Sequence, residues 1–305
     1  SANQDGSSIV AQSDWSARPL ELTDGILTNG QTYYWHAEAK GALNDGSGDS
    51  DTLSPTWSFV ATADPALSDS TGTPMTTQAT SPQDSSASGC PSWLFIGVRG
   101  TNEPAGSGRT RWGHGFTSGG LGEMKQVAQK LKNDQHATIE SLDYPATWSG
   151  VVGPAYWNSV AAGVQALASE VNAVASRCSS TKLWLGGHSQ GAHVVENTIA
   201  KRVFSQRAVA NFRGAVLAGD PTYKNSDKDD APGNGTDNGP LVAFHNNVST
   251  WIKVNNKGKR VTLVRSWCFS NDIFCQRNGW SLPVHNSYGN EPTPTNEEKW
   301  LRQFA

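Results

Sequence analysis

At 305 residues the chain has room for one α/β domain with an accessory module, or for two modest domains, because single cores stop growing near ~250 to 300 residues. Twenty-four basic side chains against 27 acidic ones give a net charge of -3, too small a field to gather phosphates, so nucleic acid is not expected as a partner. No apolar run approaches the ~18 residues needed to cross a bilayer, and the mean hydropathy is -0.50, so no membrane span is expected.

Charged residues make up 17% of the chain, below the ~25% of average proteins. Gly, Ser, Thr and Asn are abundant, and there are 12 tryptophans. This composition suits a secreted, extracellular protein, and a monomer is expected. The sequence opens on Ser1 with no basic stretch followed by an apolar segment. Either a signal peptide has been removed or the sequence begins inside a longer chain. The four cysteines, Cys90, Cys178, Cys268 and Cys275, lack the paired C-x-x-C spacing of a zinc site. An even count in an exported chain favours two disulfides.

Residues 1–61 have the character of a small β module. Tyr33, Trp35, Ala37 and Ala39 alternate with Tyr34, His36 and Glu38, a strand pattern. Asn29-Gly30 before it is turn chemistry, and Thr56 to Val60 reads as a second strand after a loop from Gly41 to Pro55. The run from Leu27 to Gly41 together with Ser54 to Asp64 resembles the later strands of fibronectin type III-like domains. About sixty residues are too few for the whole ~100-residue sandwich, so the module is expected to be partial. Residues 62–89 are rich in Ser, Thr, Pro and Ala with almost no large apolar side chain, the composition of a linker or a glycosylated stalk.

From Cys90 onward, residues 90–305, the pattern changes. Ser92 to Val98 is a short apolar run, and Leu121, Met124, Val127, Ala128 and Leu131 follow a Gly-rich loop at helical spacing. Thr138 to Leu142 gives a strand, and Tyr156, Val160, Val164, Leu167, Val171 and Val174 give a long amphipathic helix. Further apolar strands are expected at Leu183 to Leu185, Gly214 to Ala218 and Val261 to Val264, with a helix near 192–203 and a long polar insertion between. Alternating β and α units predict an α/β fold with a mostly parallel sheet covered by helices on both faces.

Gly187-His188-Ser189-Gln190-Gly191 fits G-x-S-x-G, the turn that lifts a nucleophilic serine above the end of a strand. The motif alone is weak; its context, a strand from Lys182 before it and a helix candidate from Ala192 after it, gives it weight. A nucleophilic serine needs a base, and an acid to orient that base, in the order acid then His after the serine. Two histidines lie beyond the following helix, His245 inside the polar insertion and His285 near the C-terminus. Position favours His285. Asp272 and Asp220 compete as the acid; Asp272 is favoured because it lies between Cys268 and Cys275 and 13 residues before His285. Asp220, followed by Pro221, reads more simply as a loop cap.

Residues 90–305 resemble the cutinase family of serine esterases. The matching segments are Cys90, Arg99 to Glu103, Asp143 to Ala146, Tyr156 to Gly163, Cys178, Gly187 to Ala192, Gly219 to Pro221, Cys268 to Cys275 and His285 to Tyr288. The resemblance implies an α/β-hydrolase fold and a triad of Ser189, Asp272 and His285. It also implies disulfides Cys90–Cys178 and Cys268–Cys275, and an oxyanion hole from the backbone N–H of Gln190 and of Thr101, with the Thr101 hydroxyl as a further donor. No cofactor and no metal is implied. The expected substrate is an ester: aliphatic polyester, a medium-chain ester, acetylated xylan or an envelope glycolipid. The alternative from another class is a non-catalytic polymer-binding or adhesion protein with the β module as its working part.

Two features depart from the family pattern. His188 stands before the serine where many relatives carry Tyr; the turn is expected to point it away from the cleft. The insertion from about Tyr223 to Lys259 is expected to form either a wall of the substrate groove, with Phe244, Val248, Trp251 and Ile252 as its apolar edge, or a solvated excursion. The Asp45–Asp51 and Asp227–Asp230 clusters lack EF-hand spacing and read as solvated loops. Asn234-Gly-Thr and Asn247-Val-Ser fit the glycosylation sequon.

Overall fold

A computed structural model describes residues 31–35, 38–42, 49–53, 57–60, 89–147 and 153–304. The expected Asn29-Gly30 turn, the linker from 62 to 88 and Asp45 lie outside these residues. The chain divides into two compact units, residues 1–82 and 83–305.

In the first unit, β1 (Thr32–Trp35) pairs antiparallel with β4 (Trp57–Val60), and β2 (Glu38–Ala42) pairs antiparallel with β3 (Asp49–Leu53). The alternating run expected as one strand is therefore two elements with separate partners. Asp49–Leu53, which falls in the expected loop from Gly41 to Pro55, instead pairs with β2, although Asp and Ser disfavour strands, a case of context overriding propensity.

In the second unit the expected alternation is present: β5 (Trp93–Val98), β6 (Gly106–Arg109), β7 (Gly115–Gly119), α1 (Lys125–Gln135), β8 (Thr138–Leu142), α2 (Pro154–Arg177), β9 (Lys182–His188), α3 (Gln190–Ala200), α4 (Gln206–Asn211) and β10 (Phe212–Ala218). After the insertion come β11 (Ile252–Val254), β12 (Arg260–Thr262), β13 (Val264–Trp267), α5 (Leu282–His285) and α6 (Thr293–Arg302). The central sheet has the order β13-β10-β9-β5-β8-β7-β6. Pairs from β13 to β8 are parallel; β7 and β6 add an antiparallel edge. That edge falls in the segment read as a Gly-rich loop, whose sequence carries no apolar alternation.

Period-two alternation along the strands divides the core between the two sheet faces. Leu94, Ile96, Val98, Leu183, Leu185, Ala215 and Leu217 face α2, α3 and α4, whereas Phe95, Trp184, Val216 and Ala218 face α1 and α6. Both disulfides form as the resemblance implied. Cys90–Cys178 ties the start of β5 to the end of α2, and Cys268–Cys275 closes a short loop after β13.

The Val261–Val264 segment needs a correction. Arg260–Thr262 pairs with Ile252–Val254 as a surface hairpin, and only Val264–Trp267 enters the central sheet, beside β10. The expected apolar edge of the insertion is also divided. Val248 is buried and Trp251 packs edge-on against Phe212 in the core, while Phe244 and Ile252 are exposed. Of the two sequons, Asn234 spends its amide nitrogen on the Ser266 carbonyl, at 2.9 Å, and Asn247 is exposed.

Candidate active site

The elbow forms because its glycines leave room for two close backbone approaches. A Cβ on Gly191 would collide with the carbonyls of Val98 and Arg99, and one on Gly187 with the Gly191 carbonyl. Between them Ser189 adopts φ 54°, ψ -122°, a strained backbone of the kind concentrated at functional sites. Its N–H donates to the Ala218 carbonyl at 2.8 Å, which fixes the turn to the end of β10, and the residue keeps 7% exposure. The Gln190 N–H, at the first turn of α3, has no acceptor among the described residues. The Gln190 side chain is fully engaged, accepting from Ser159 Oγ at 2.8 Å and donating to the Thr147 carbonyl at 3.1 Å.

Asp272 is completely buried in the loop closed by Cys268 and Cys275. Both its oxygens lie 2.9 Å from His285 Nδ1. Oδ1 also accepts from the Phe274 N–H at 2.7 Å and the Cys275 N–H at 3.2 Å, and Oδ2 from the Tyr288 hydroxyl at 2.7 Å. Burial alone would push the carboxyl pKa up; the His285 contact, Tyr288 and the Phe274 N–H outweigh it and hold the group below the ordinary aspartate value. Asp272 therefore stays ionised beside the imidazole. Asp220, the competing acid, caps its own loop, its Oδ1 accepting from the Thr222 N–H and hydroxyl at 2.8 and 2.7 Å.

His285 sits in α5, whose first turn is capped by Ser281 Oγ accepting from the Val284 N–H. Its ring lies over the ends of β9 and β10, 4.7 Å from the His188 ring and against Gly219. Of the two contacts expected of His285, the one to Asp272 is formed. No hydrogen bond joins Ser189 Oγ to His285 in this structure, as is common in enzymes without substrate, where that contact tightens only in the reacting complex.

The loop after β5 is held beside the serine. Gly100 packs so closely that a Cβ there would lie 2.8 Å from His188 Nδ1 and 3.2 Å from Ser189 Cβ. Arg99, buried, donates to the carbonyls of Glu103, Leu142 and Tyr144, and the Tyr144 hydroxyl returns a bond to the Arg99 carbonyl at 2.6 Å. The Asn102 N–H donates to the Ala146 carbonyl at 2.8 Å. These bonds explain why the 99–103 and 143–146 segments occur together: each staples the other. Thr101 sits between the stapled residues, with neither its N–H nor its hydroxyl taken by another described residue.

His188 turns into the protein, as expected, yet it is bonded on both nitrogens. Nε2 lies 2.9 Å from the His285 carbonyl and Nδ1 3.1 Å from Glu103 Oε1. Both partners are acceptors, so the ring is an imidazolium. Burial opposes that charge, but Glu103 and the His285 carbonyl raise the His188 pKa above its ordinary value, and His188 in turn holds Glu103 below its own against burial. Glu103 also accepts from the Gly100 and Glu123 N–H groups, and Glu123 Oε2 from the Gly289 N–H at 2.6 Å. Neither this pair nor Tyr288 was given a role in the sequence reading. For Tyr288 the signal was its place three residues after His285; for Glu103 and His188 nothing in the sequence joined two residues 85 apart.

A family model described as Cutinase matches residues 89–303. The chain belongs to the cutinase family. Among curated relatives it is 30% identical to an acetylxylan esterase 2 of Talaromyces purpureogenus over 51% of this chain and 68% of the relative. It is 30% identical to cutinase 4 of Emericella nidulans over 67% and 68%. The catalytic core of an acetyl xylan esterase from Trichoderma reesei superposes with TM-score 0.55 at 21% identity, covering 71% of this chain and all of that one, a likeness of fold. This cutinase-family chain is thus a serine carboxylic ester hydrolase of α/β-hydrolase fold. The family match leaves out residues 1–88, so it lends no support to the fibronectin-like reading of the N-terminal module.

The stretch from Asp272 to Leu282 of this cutinase-family enzyme also displays apolar side chains that the sequence reading passed over. Trp280 is 81% exposed, Leu282 51% and Ile273 37%. Among the described residues no group of His, Cys, Asp and Glu is arranged to hold a metal ion, and no helix is long and apolar enough to cross a membrane. Asp227 and Asp230 of the acidic run are committed to His245 and to Asn234.

Proposed function

We propose that this protein hydrolyses esters through an acyl-enzyme on Ser189, with His285 as base then acid and Asp272 holding its tautomer. The observation that carries the reading is the Asp272–His285 contact at 2.9 Å set over the Ser189 elbow. His285 Nδ1–H faces the carboxylate, so Nε2 is the basic nitrogen left for the serine proton. Burial, with the His188 charge behind it, holds the His285 pKa below the ordinary imidazole value despite Asp272, so the base is neutral at pH 7. Attack on the ester carbonyl places negative charge on its oxygen. The Gln190 and Thr101 N–H groups, with the Thr101 hydroxyl, supply the donors for that charge. The alcohol leaves with the proton from His285, and water repeats the sequence to release the acid.

The exposed Trp280, Leu282 and Ile273 beside the triad acid favour an acyl chain or polyester surface as the ester's apolar partner. A second reading, acetyl removal from xylan, rests on the acetylxylan esterase relative. We further propose secretion, supported by the two disulfides, and action as a monomer. The N-terminal β module keeps its reading as a partial fibronectin-like fragment only as a proposal, supported by its antiparallel strand pairs.

The deciding experiment is fluorophosphonate labelling of wild type and Ser189→Ala, beside a p-nitrophenyl ester chain-length series, acetylated xylan and cutin. Labelling lost in the variant, with turnover peaking above two carbons, supports the first reading. Unlabelled, folded wild type overturns the mechanism and leaves the polymer-binding alternative standing.

A further inference from the structure

A cavity of about 410 Å³ opens between α2, α3 and the segment Ala243–Asn246 of the insertion. No triad residue lines it, and its size falls in the ~300–1,000 Å³ range of ligand sites. One wall is aromatic: the Trp157 and Phe244 rings stand 4.6 Å apart at 58°, and Trp157 meets His193 edge-on at 5.6 Å. Phe244 is 53% exposed, an aromatic ring held out at the mouth.

The other wall is polar and not self-satisfied. His193 is 1% exposed; its Nδ1 is 3.0 Å from the Tyr156 hydroxyl, and its Nε2 has no partner among the described residues. Burial, with the nearby Lys201 charge, lowers the His193 pKa to about 4, so the ring presents one neutral polar nitrogen at working pH. Asn197 Oδ1 accepts from Asn246 Nδ2 at 2.6 Å, which leaves the Asn197 amide donors and Asn246 Oδ1 for something else. Lys201 lines the same cavity and has no ion pair among the described residues.

The insertion holds this wall in place. His245 bridges Glu196 Oε1 and Asp227 Oδ2, each at 3.0 Å, and the Asn246 N–H donates to Glu196 Oε1 at 2.8 Å. Although burial opposes it, the Glu196 contact and the Asp227 bond raise the His245 pKa to about 9, so the bridge is ionic at neutral pH. A partly buried ionic bridge is weak evidence for stability as such. Here it positions the residues on either side of His245, Phe244 and Asn246, toward the cavity.

We propose that this cavity is a sugar-binding subsite separate from the triad, holding one pyranose ring of a polysaccharide with its C–H face on Trp157 and Phe244. An equatorial set of hydroxyls needs donors and acceptors intermixed, as His193, Asn197 and Asn246 provide, and an apolar plate for the ring face. A fatty acyl chain would leave those polar atoms unpaired, at a cost. A phosphate would find one unpaired cation, Lys201, since His245 is spent on Glu196 and Asp227, and no nest of backbone N–H groups. Lys201 adds a preference for a ring that bears a carboxylate. The inference stands whichever ester is cleaved.

Binding is measured by calorimetry on full-length Ser189→Ala with xylohexaose and with the same oligomer carrying a glucuronic acid branch. Saturable binding of both is expected, with the acidic oligomer several-fold tighter. Ala161→Trp, which plugs the cavity from an exposed helix position, and Phe244→Ala should each weaken binding at least about fivefold, and Lys201→Ala should erase the acidic preference. Wild type phosphonylated at Ser189 should bind as Ser189→Ala does. No saturation up to about 10 mM (about -2.7 kcal/mol) overturns the proposal. So does binding that survives Ala161→Trp or is abolished by the phosphonate, since either places the sugar elsewhere. Failure of Ser189 to label at all would refute the mechanism and leave these binding outcomes readable.

Discussion

The two disulfides should separate stability from activity, in opposite proportion. Cys268–Cys275 spans 7 positions and Cys90–Cys178 spans 88. On the chain-entropy model, opening them costs about 2.4 and about 4.6 kcal/mol respectively. For a domain of this size that corresponds to falls in Tm of roughly 5–10 °C and 10–18 °C. The short bridge, however, closes the loop in which Phe274 and Cys275 donate backbone N–H groups to Asp272 Oδ1. Cys268→Ser/Cys275→Ser frees that loop and lets the carboxylate drift from His285. A displacement of ~1 Å in a catalytic constellation typically costs on the order of 10²-fold in rate. The double variants of each bridge are compared by thermal melting and by turnover of p-nitrophenyl butyrate at 25 °C. The expected outcome is a small loss of Tm with about a 10²-fold loss of kcat for the short bridge, and a larger loss of Tm with near-normal kcat for the long one. A kcat within twofold of wild type after loss of Cys268–Cys275 would refute the claim that this loop is what aims Asp272.

Three further outcomes follow from the site's geometry. Thr101→Val should lower kcat by ~10²-fold or more with little change in KM, since it deletes one oxyanion donor; a change confined to KM counts against the assignment. Tyr288→Phe removes the 2.7 Å bond to Asp272 Oδ2 and the acceptor of the Phe269 N–H while the ring stays stacked on Phe269, so kcat should fall about tenfold and Tm by several degrees. His188→Phe removes a cation 4.7 Å from the His285 ring, where Asp272, Glu103 and Tyr288 are the other titratable groups facing that histidine. His285 must be neutral to act, so activity appears as pH rises through its pKa. Without the His188 charge that pKa rises, and the acid limb of kcat/KM should move toward higher pH; an unmoved limb would show that His188 is a packing residue only.

The parts legible in the sequence were those where one physical signal dominates. The strands β5, β9 and β10 are buried on both faces and read as short apolar runs, and α2 carries an unbroken 3.6-residue stripe. Ser189 was placed by glycines that the elbow cannot replace, and His285 and Asp272 by chain order and a bracketing pair of cysteines. The antiparallel edge β6–β7 was invisible because Gly106, Ser107 and Gly108 carry no alternation, and their pairing is decided by the neighbouring β8. Val261 looked like core but sits in a surface hairpin, since a three-residue apolar run cannot say which sheet it joins. Trp280 reads as a core residue by type and stands 81% exposed. The Glu103–His188 pair depends on contacts that only the folded sheet brings together.

That pair constrains how this scaffold can be remodelled. One way to reshape the cleft is to exchange the connection after the first parallel strand for that of a homologue. In this chain such a graft would take away the counter-ion of position 188 and, through it, the hydrogen bond that anchors the backbone of His285. Positions 103 and 188 therefore form a single module for transplantation: they should be moved together, or left alone together.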